Sequence, residues 1–133
     1  MAKPELKLET RKYLINSGSA TITNMLLKHG LRNTYMQGLL PLRNDQQTLV
    51  GPAFTLRFIP SREDIDTLDS YSRSDNIHRR AIEECPSGSI LVIDAMGCLR
   101  ASSAGDNMAA RLKMRGVAGI VTDGGFRDTL AMA

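Results

Sequence analysis

The sequence predicts an α/β fold with neighbouring parallel strands, on three observations. Ser89-Ile90-Leu91-Val92-Ile93-Asp94 and Val117-Ala118-Gly119-Ile120-Val121-Thr122 are short apolar runs bounded by turn residues, the pattern of strands buried on both faces. Between them, residues 106–115 repeat apolar side chains at helical spacing (Met108, Ala109, Leu112), with Arg111, Lys113 and Arg115 directed to water and Gly116 as the stop. Strand, helix and strand in that order make a βαβ unit, whose crossover sets the two strands side by side and parallel.

The remaining elements follow from local chemistry. Residues 1–17 carry a short helical pattern that ends at Ser17-Gly18-Ser19. A second helix runs from about Ala20 to His29 on Ile22, Met25 and Leu26, with Gly30 as a left-handed cap. From Leu31 to Thr48, Gly38, Pro41 and Asn44-Asp45 argue for a loop with at most one short strand. Leu49 to Ile59 alternates Phe54, Leu56 and Phe58 with Thr55 and Arg57, a half-buried strand ended by Pro60. A short polar helix is expected over 64–72. The next helix, capped by Ser74 or Asp75, carries Ile77, Ala81 and Ile82 and stops near Cys85-Pro86.

Composition bounds the function. At 133 residues, 42% apolar and 23% charged, the chain has the size and balance of one globular domain, residues 1–133. No run approaches the length of a membrane span and no leader pattern stands at the start, so a soluble, cytoplasmic protein is expected. The formal charge of +3 comes from interleaved cations and anions, and the three Tyr and three Phe are scattered, so neither nucleic acid nor membrane is an expected partner. Cys85 and Cys98 suit reduced thiols.

Chemistry in such sheets gathers beyond the carboxyl ends of the strands. Two such ends occur here, 94–106 and 123–128. The first leads through Gly105-Asp106 into a helix whose early amides, Asn107 and Met108, offer a small anion site. The second is a glycine turn followed by Arg127 and Asp128, a guanidinium and a carboxylate suited to an oxo acid and a hard cation. Simpler roles exist: Asp106 as a helix cap, Arg127-Asp128 as a solvated pair, Asp94 and Asp123 as acceptors for loop amides. His78, with Arg79 and Arg80, reads most simply as an exposed helix face, the alternative being the mouth of the site or a subunit contact. The lysines (3, 7, 12, 28 and 113) avoid the strand ends, which disfavours a Schiff base. No dinucleotide fingerprint, phosphate loop or nucleophile elbow is present.

Gly105-Asp106 and the run Arg115-Gly116-Val117 through Gly124-Gly125-Phe126-Arg127-Asp128 resemble the signature of the RraA-like family. Its aldolase members have an Asp, twenty intervening residues and Arg-Asp, and Asp106 to Arg127 encloses twenty. Residues 19–24 and Gly51-Pro52-Ala53-Phe54-Thr55 are similar to the family's opening. The resemblance implies a swivelling β/β/α sandwich, incomplete at the C-terminus. It also implies a metal-dependent aldolase that cleaves 4-hydroxy-2-oxo acids, such as 4-hydroxy-4-methyl-2-oxoglutarate or 4-carboxy-4-hydroxy-2-oxoadipate, to pyruvate, with oxaloacetate decarboxylation as a side reaction. On that resemblance, Asp128 binds Mg²⁺ or Mn²⁺ and Asp106 reaches the ion through water. Arg127 holds the keto and carboxylate oxygens, and the amides of Asn107 and Met108, beside Gly105, take the carboxylate. The family also implies a homotrimer or homohexamer in which the rest of the chain lends an acidic group to a neighbour. Its regulators of ribonuclease activity and a sugar-acid lyase or isomerase are the alternative functions; the Arg-Asp pair favours the enzyme.

Overall fold

The computed structural model describes residues 6–43 and 48–132. The start of the first helical pattern, the Asn44-Asp45 turn and Ala133 lie outside them. The elements in chain order are α1 (Leu8–Asn16), α2 (Ser19–Lys28), β1 (Ala53–Arg57), α3 (Leu68–Ser72), α4 (Ile77–Glu84), β2 (Ile90–Asp94), β3 (Ser102–Ala104), α5 (Asp106–Met114), β4 (Gly119–Thr122), β5 (Gly125–Phe126) and α6 (Thr129–Met132).

Three parallel strands form the main sheet, in the order β1-β2-β4. Ile90 pairs with Ala53 on one side and Gly119 on the other, and Ile93 with Leu56 and Thr122. The expected βαβ unit is therefore present, with β2 and β4 adjacent and parallel. Leu91, Ile93, Leu112 and Cys85 are fully buried, and Leu56, Ala81, Ala104 and Met108 complete the core. That core joins the sheet to the inner faces of α4 and α5. On their outer side Glu83 accepts from Arg111 at 2.9 Å and lies 3.3 Å from Arg115, tying the two helices together.

The sheet is not evenly sealed. In β2 the burial alternates strictly, while Gly119, Ile120 and Val121 of β4 are all only partly covered, so the expectation of two strands buried on both faces is met at alternate positions only. Left-handed glycines stand where helices must stop: Gly30 after α2 (φ 79°) and Gly116 after α5 (φ 75°).

Four details depart from expectation. The strand expected over 49–59 is confined to 53–57. The short helix expected over 64–72 is confined to 68–72. The cap of α4 is Asn76, whose side chain accepts from the amides of His78 and Arg79, in place of Ser74 or Asp75. Residues 102–104, read as loop, form β3, which pairs in parallel with β5 as a second, two-stranded sheet at the carboxyl end of the first.

Candidate active site

The second sheet brings the two strand ends together. The amide of Arg127 donates to the Ala104 carbonyl at 3.1 Å, which draws the Gly125–Asp128 turn alongside the entry to α5. Gly105 is buried beneath that turn. A β-carbon on it would stand 2.9 Å from Arg127 Nε, 3.1 Å from its Cγ and 3.2 Å from Asp128 Oδ2, so only glycine fits without displacing the pair. Gly124 has the same function one turn away: a side chain there would meet Ser103 Oγ and the Ala95 Cβ at 2.5 and 2.6 Å. Between these glycines Thr122 Oγ1 donates to Ser103 Oγ at 3.2 Å and accepts from the Gly124 amide at 3.0 Å, so the buried hydroxyls at the joint are partnered.

Arg127 and Asp128 present their charges to solvent. Their side chains are 74% and 49% exposed, with Arg127 Nε 3.5 Å from Asp128 Oδ2. Asp128 is one of three non-glycine residues with positive φ among the described residues, at 56°. That conformation is tolerated by Asp but uncommon, and its carbonyl accepts from Ala131 and Met132 to start α6. The pair thus stands before α6 and not in its first turn. At the opposing end Gly105 is the N-cap and Asp106 the first residue of α5. The Asp106 carboxylate accepts from the Asn107 amide at 2.6 Å. Asn107 is therefore engaged by its neighbour, which corrects the expectation of two free amides and leaves Met108 as the candidate donor of the two.

Asp123 and Asp94 have structural partners. Asp123 accepts from the amides of Ala95 at 2.6 Å and Gly97 at 2.8 Å, pinning the loop after β2. Asp94 accepts from the Met96 amide at 3.0 Å and from Arg57 at 2.6 Å, and these bonds hold its carboxyl below the ordinary range.

His78 is the residue that sequence reasoning misplaced. Arg79 and Arg80 do face water, but His78 is half-buried, its ring edge-on to Phe58 at 5.5 Å and its Nε2 3.1 Å from Met108 Sδ. Burial pushes its pKa down, a hydrogen bond with the Ser103 backbone pushes it up, and the Arg127 cation pushes it down again. A signal was available: His78, Ala81, Ile82 and Cys85 fall at i, i+3, i+4 and i+7, the inward stripe of α4. On the outer side a groove of about 630 Å³ is lined by Ser72, Ser74, Arg79, Arg80, Glu83 and Glu84 and contains none of the strand-end residues.

Among the described residues no three His, Cys, Asp or Glu side chains gather as a ready-made metal cage. Asp128 and Asp106 nonetheless suit a hard ion such as Mg²⁺, which binds through one or two carboxylates and keeps several water ligands.

Comparison with known proteins agrees with this architecture. A family model described as RraA-like, Aldolase/RraA, matches residues 19–133. Two curated relatives are both named "Putative 4-hydroxy-4-methyl-2-oxoglutarate aldolase". The one from Halalkalibacterium halodurans is 33% identical over 88 residues, covering 66% of this chain and 36% of its own. The one from Paraburkholderia phytofirmans is 43% identical over 54 residues, covering 41% of this chain and 33% of its own. A solved Streptomyces coelicolor structure, described as an unusual member of the RNase ES inhibitor RraA protein family, superposes with TM-score 0.73 at 33% identity, covering 96% of this chain and 59% of that one. An uncharacterized Pseudomonas syringae protein shares the fold, with TM-score 0.75 at 21% identity over 98% of this chain and 54% of its own. The matches thus span about a third of each curated relative and little more than half of each solved structure. With the family model matched from Ser19 onward and the same mixed α/β fold in its solved members, this chain belongs to the RraA-like (Aldolase/RraA) family.

Proposed function

We propose that this chain carries the centre of a divalent-metal-dependent aldolase that cleaves a 4-hydroxy-2-oxo acid to pyruvate. The observation that carries the reading is the packing of Gly105, the N-cap of α5, directly beneath Arg127 and Asp128, which brings that charged pair to the helix N-terminus that Asp106 opens, at the carboxyl end of the sheet. The names of the two curated relatives support it.

In this reading Asp128 binds the ion directly and Asp106 holds it through water. Mg²⁺ or Mn²⁺ supplies Lewis acidity that stabilises the oxyanion developing on the 2-oxo group. Arg127 binds the keto and carboxylate oxygens, where its guanidinium is worth more in the transition state than in the ground state because negative charge grows there. The Met108 amide, at the positive end of α5, takes the remaining carboxylate oxygen. Oxaloacetate decarboxylation uses the same groups, since loss of CO₂ leaves the same pyruvate enolate. We further propose a cytoplasmic homo-oligomer, a trimer or hexamer, of which residues 1–133 form one domain. No described helix is long and apolar enough to cross a membrane.

A second reading, a protein-binding regulator of ribonuclease activity, draws on the likeness to the Streptomyces coelicolor protein, which is described as a member of an RNase ES inhibitor family. The experiment that separates the two is pyruvate release from 4-hydroxy-4-methyl-2-oxoglutarate by the intact protein, with Mg²⁺ or with chelator, and with Arg127→Ala. The aldolase reading expects metal-dependent turnover that falls roughly 10²- to 10³-fold in the variant, the cost of removing one preorganised oxyanion donor. No pyruvate from the folded protein moves the assignment to the regulator or to another sugar acid.

A further inference from the structure

The direction of Arg127 and Asp128 depends on their backbone. Both side chains are substantially exposed, so apolar packing does not hold them, and whatever aims the pair acts on residues 124–128. That backbone is tied to β3 at an irregular place. Ser102 pairs with Gly125 and Ala104 with Phe126, so β3 advances two residues while β5 advances one. Ser103 is therefore the extra residue of a bulge, a feature rare between parallel strands and one that bends the chain beside it. The register it sets decides which carbonyl meets Arg127, whose amide donates to Ala104 O at 3.1 Å. A slip of one residue would bring a different carbonyl to Arg127 and shift the pair off Gly105.

Hydroxyl groups close the bulge on both sides. Ser102 Oγ donates to the same Ala104 carbonyl at 2.6 Å, spanning Ser103. Ser103 and Thr122 are both buried, and Thr122 Oγ1 donates to Ser103 Oγ at 3.2 Å while it accepts from the Gly124 amide at 3.0 Å. Thr122 is thus bonded at once to the bulge and to the turn that leads to Arg127. Out of water, these bonds are not replaced by solvent when a partner is removed, so the loss falls on the local geometry.

We propose that the Ser103–Thr122 hydroxyl bridge locks the β3 bulge and thereby aims Arg127 and Asp128 over Gly105. Ser103 and Thr122 are positioning residues of the site: they touch no ligand and act through the backbone of the pair. The consequence for turnover rests on the aldolase reading, whereas the lock itself does not. The bridge belongs to the rim and not to the core of the main sheet, so its loss is felt over residues 124–128 while β2 keeps its packing.

The test uses three variants of the intact protein. Thr122→Val keeps the shape and removes the hydroxyl, Thr122→Ser restores it, and Ser103→Ala removes the other half of the bridge. Amide hydrogen exchange is read by mass spectrometry on fragments covering residues 124–128 and, for comparison, 90–94. Exchange over 124–128 is expected to be about tenfold faster in Thr122→Val and Ser103→Ala, as for loss of one hydrogen bond, and close to the parent in Thr122→Ser, with 90–94 unchanged throughout. With 4-hydroxy-4-methyl-2-oxoglutarate and Mg²⁺, kcat is expected to fall on the order of tenfold in Thr122→Val and Ser103→Ala and to recover in Thr122→Ser. KM changes less, because the contacts of Arg127 strengthen as charge develops. Unchanged exchange over 124–128, or an equal rise at 90–94, overturns the lock; faster exchange over 124–128 with unaltered kcat overturns its role in aiming the pair. If Thr122→Val does not fold, Ser103→Ala reads the same bridge from its other side. A parent that releases no pyruvate fails the aldolase reading, and the exchange comparison then decides the lock alone.

Discussion

The body of the β2–α5–β4 unit and the rim at its carboxyl end are built from the same chain segments and have opposite physical character. In the body Leu91, Ile93 and Leu112 are 0%, 1% and 2% exposed and belong to the apolar core cluster. At the rim, a few residues along the same strands, Arg127 and Asp128 keep their charges in water while glycines bring the backbones into contact. Residues that hold the fold are thus separate from those that would hold a ligand, and Gly105 is the joint between them. Substitutions in the body are expected to change stability, and those at the rim and at the joint function.

The largest effect should come from the body. Leu91→Ala removes a fully buried side chain from the central strand and is expected to cost about 2–5 kcal/mol, read as a lower urea midpoint. A loss below about 1 kcal/mol would mean that the sheet relaxes around the cavity and the body is less rigid than its burial implies.

Gly105→Ala tests the joint. The atoms that its methyl group meets belong to Arg127 and Asp128, whose side chains are exposed enough to move. The fold should therefore tolerate the change, whereas displacing the pair by a fraction of an ångström should lower turnover on the order of 10²-fold. Unchanged turnover would show that the Arg127-Asp128 geometry is not used.

The smallest effect is a pH dependence. His78 has a lower pKa folded than its ordinary value of 6.5, chiefly through burial. Between those two values the unfolded chain binds the proton and the folded one does not, so stability falls as pH is lowered through that window and is fully present above it. Subtracting the His78→Phe profile from that of the parent should isolate this slope, which Arg127 strengthens. A difference that is flat below 6.5 would place the imidazole in solvent.

The body was legible in the sequence because its signals are local. Continuous apolar runs over 89–94 and 117–122, a helical stripe between them and Gly116 at its end specify a βαβ unit without knowledge of the rest. β3 and β5 were not legible, since Ser102-Ser103-Ala104 and Gly125-Phe126 are too short and too mixed for a period of two to show, and their pairing arises only when the two strand ends meet. Asp106, Arg127 and Asp128 were legible as residues beyond the strand ends, and a family resemblance gave them their roles. The physical reason they belong together, the absent side chain at Gly105, needed coordinates. His78 was misread because its neighbours Arg79 and Arg80 suggested a solvated face, although the residues three, four and seven positions on are apolar. Helical patterns near the start proved correct in type but not in burial: α1 and α2 form with no buried residue, and Leu8, Tyr13 and Leu27 stay at least half exposed.

The central claim is that the two strand ends make one site for a hard divalent ion. Mn²⁺ titration of the intact protein, followed by water-proton relaxation, tests it in the parent, Asp128→Asn and Asp106→Asn. One bound ion per chain, lost in Asp128→Asn and weakened in Asp106→Asn, is the predicted result; equal Mn²⁺ affinity in all three proteins would contradict it.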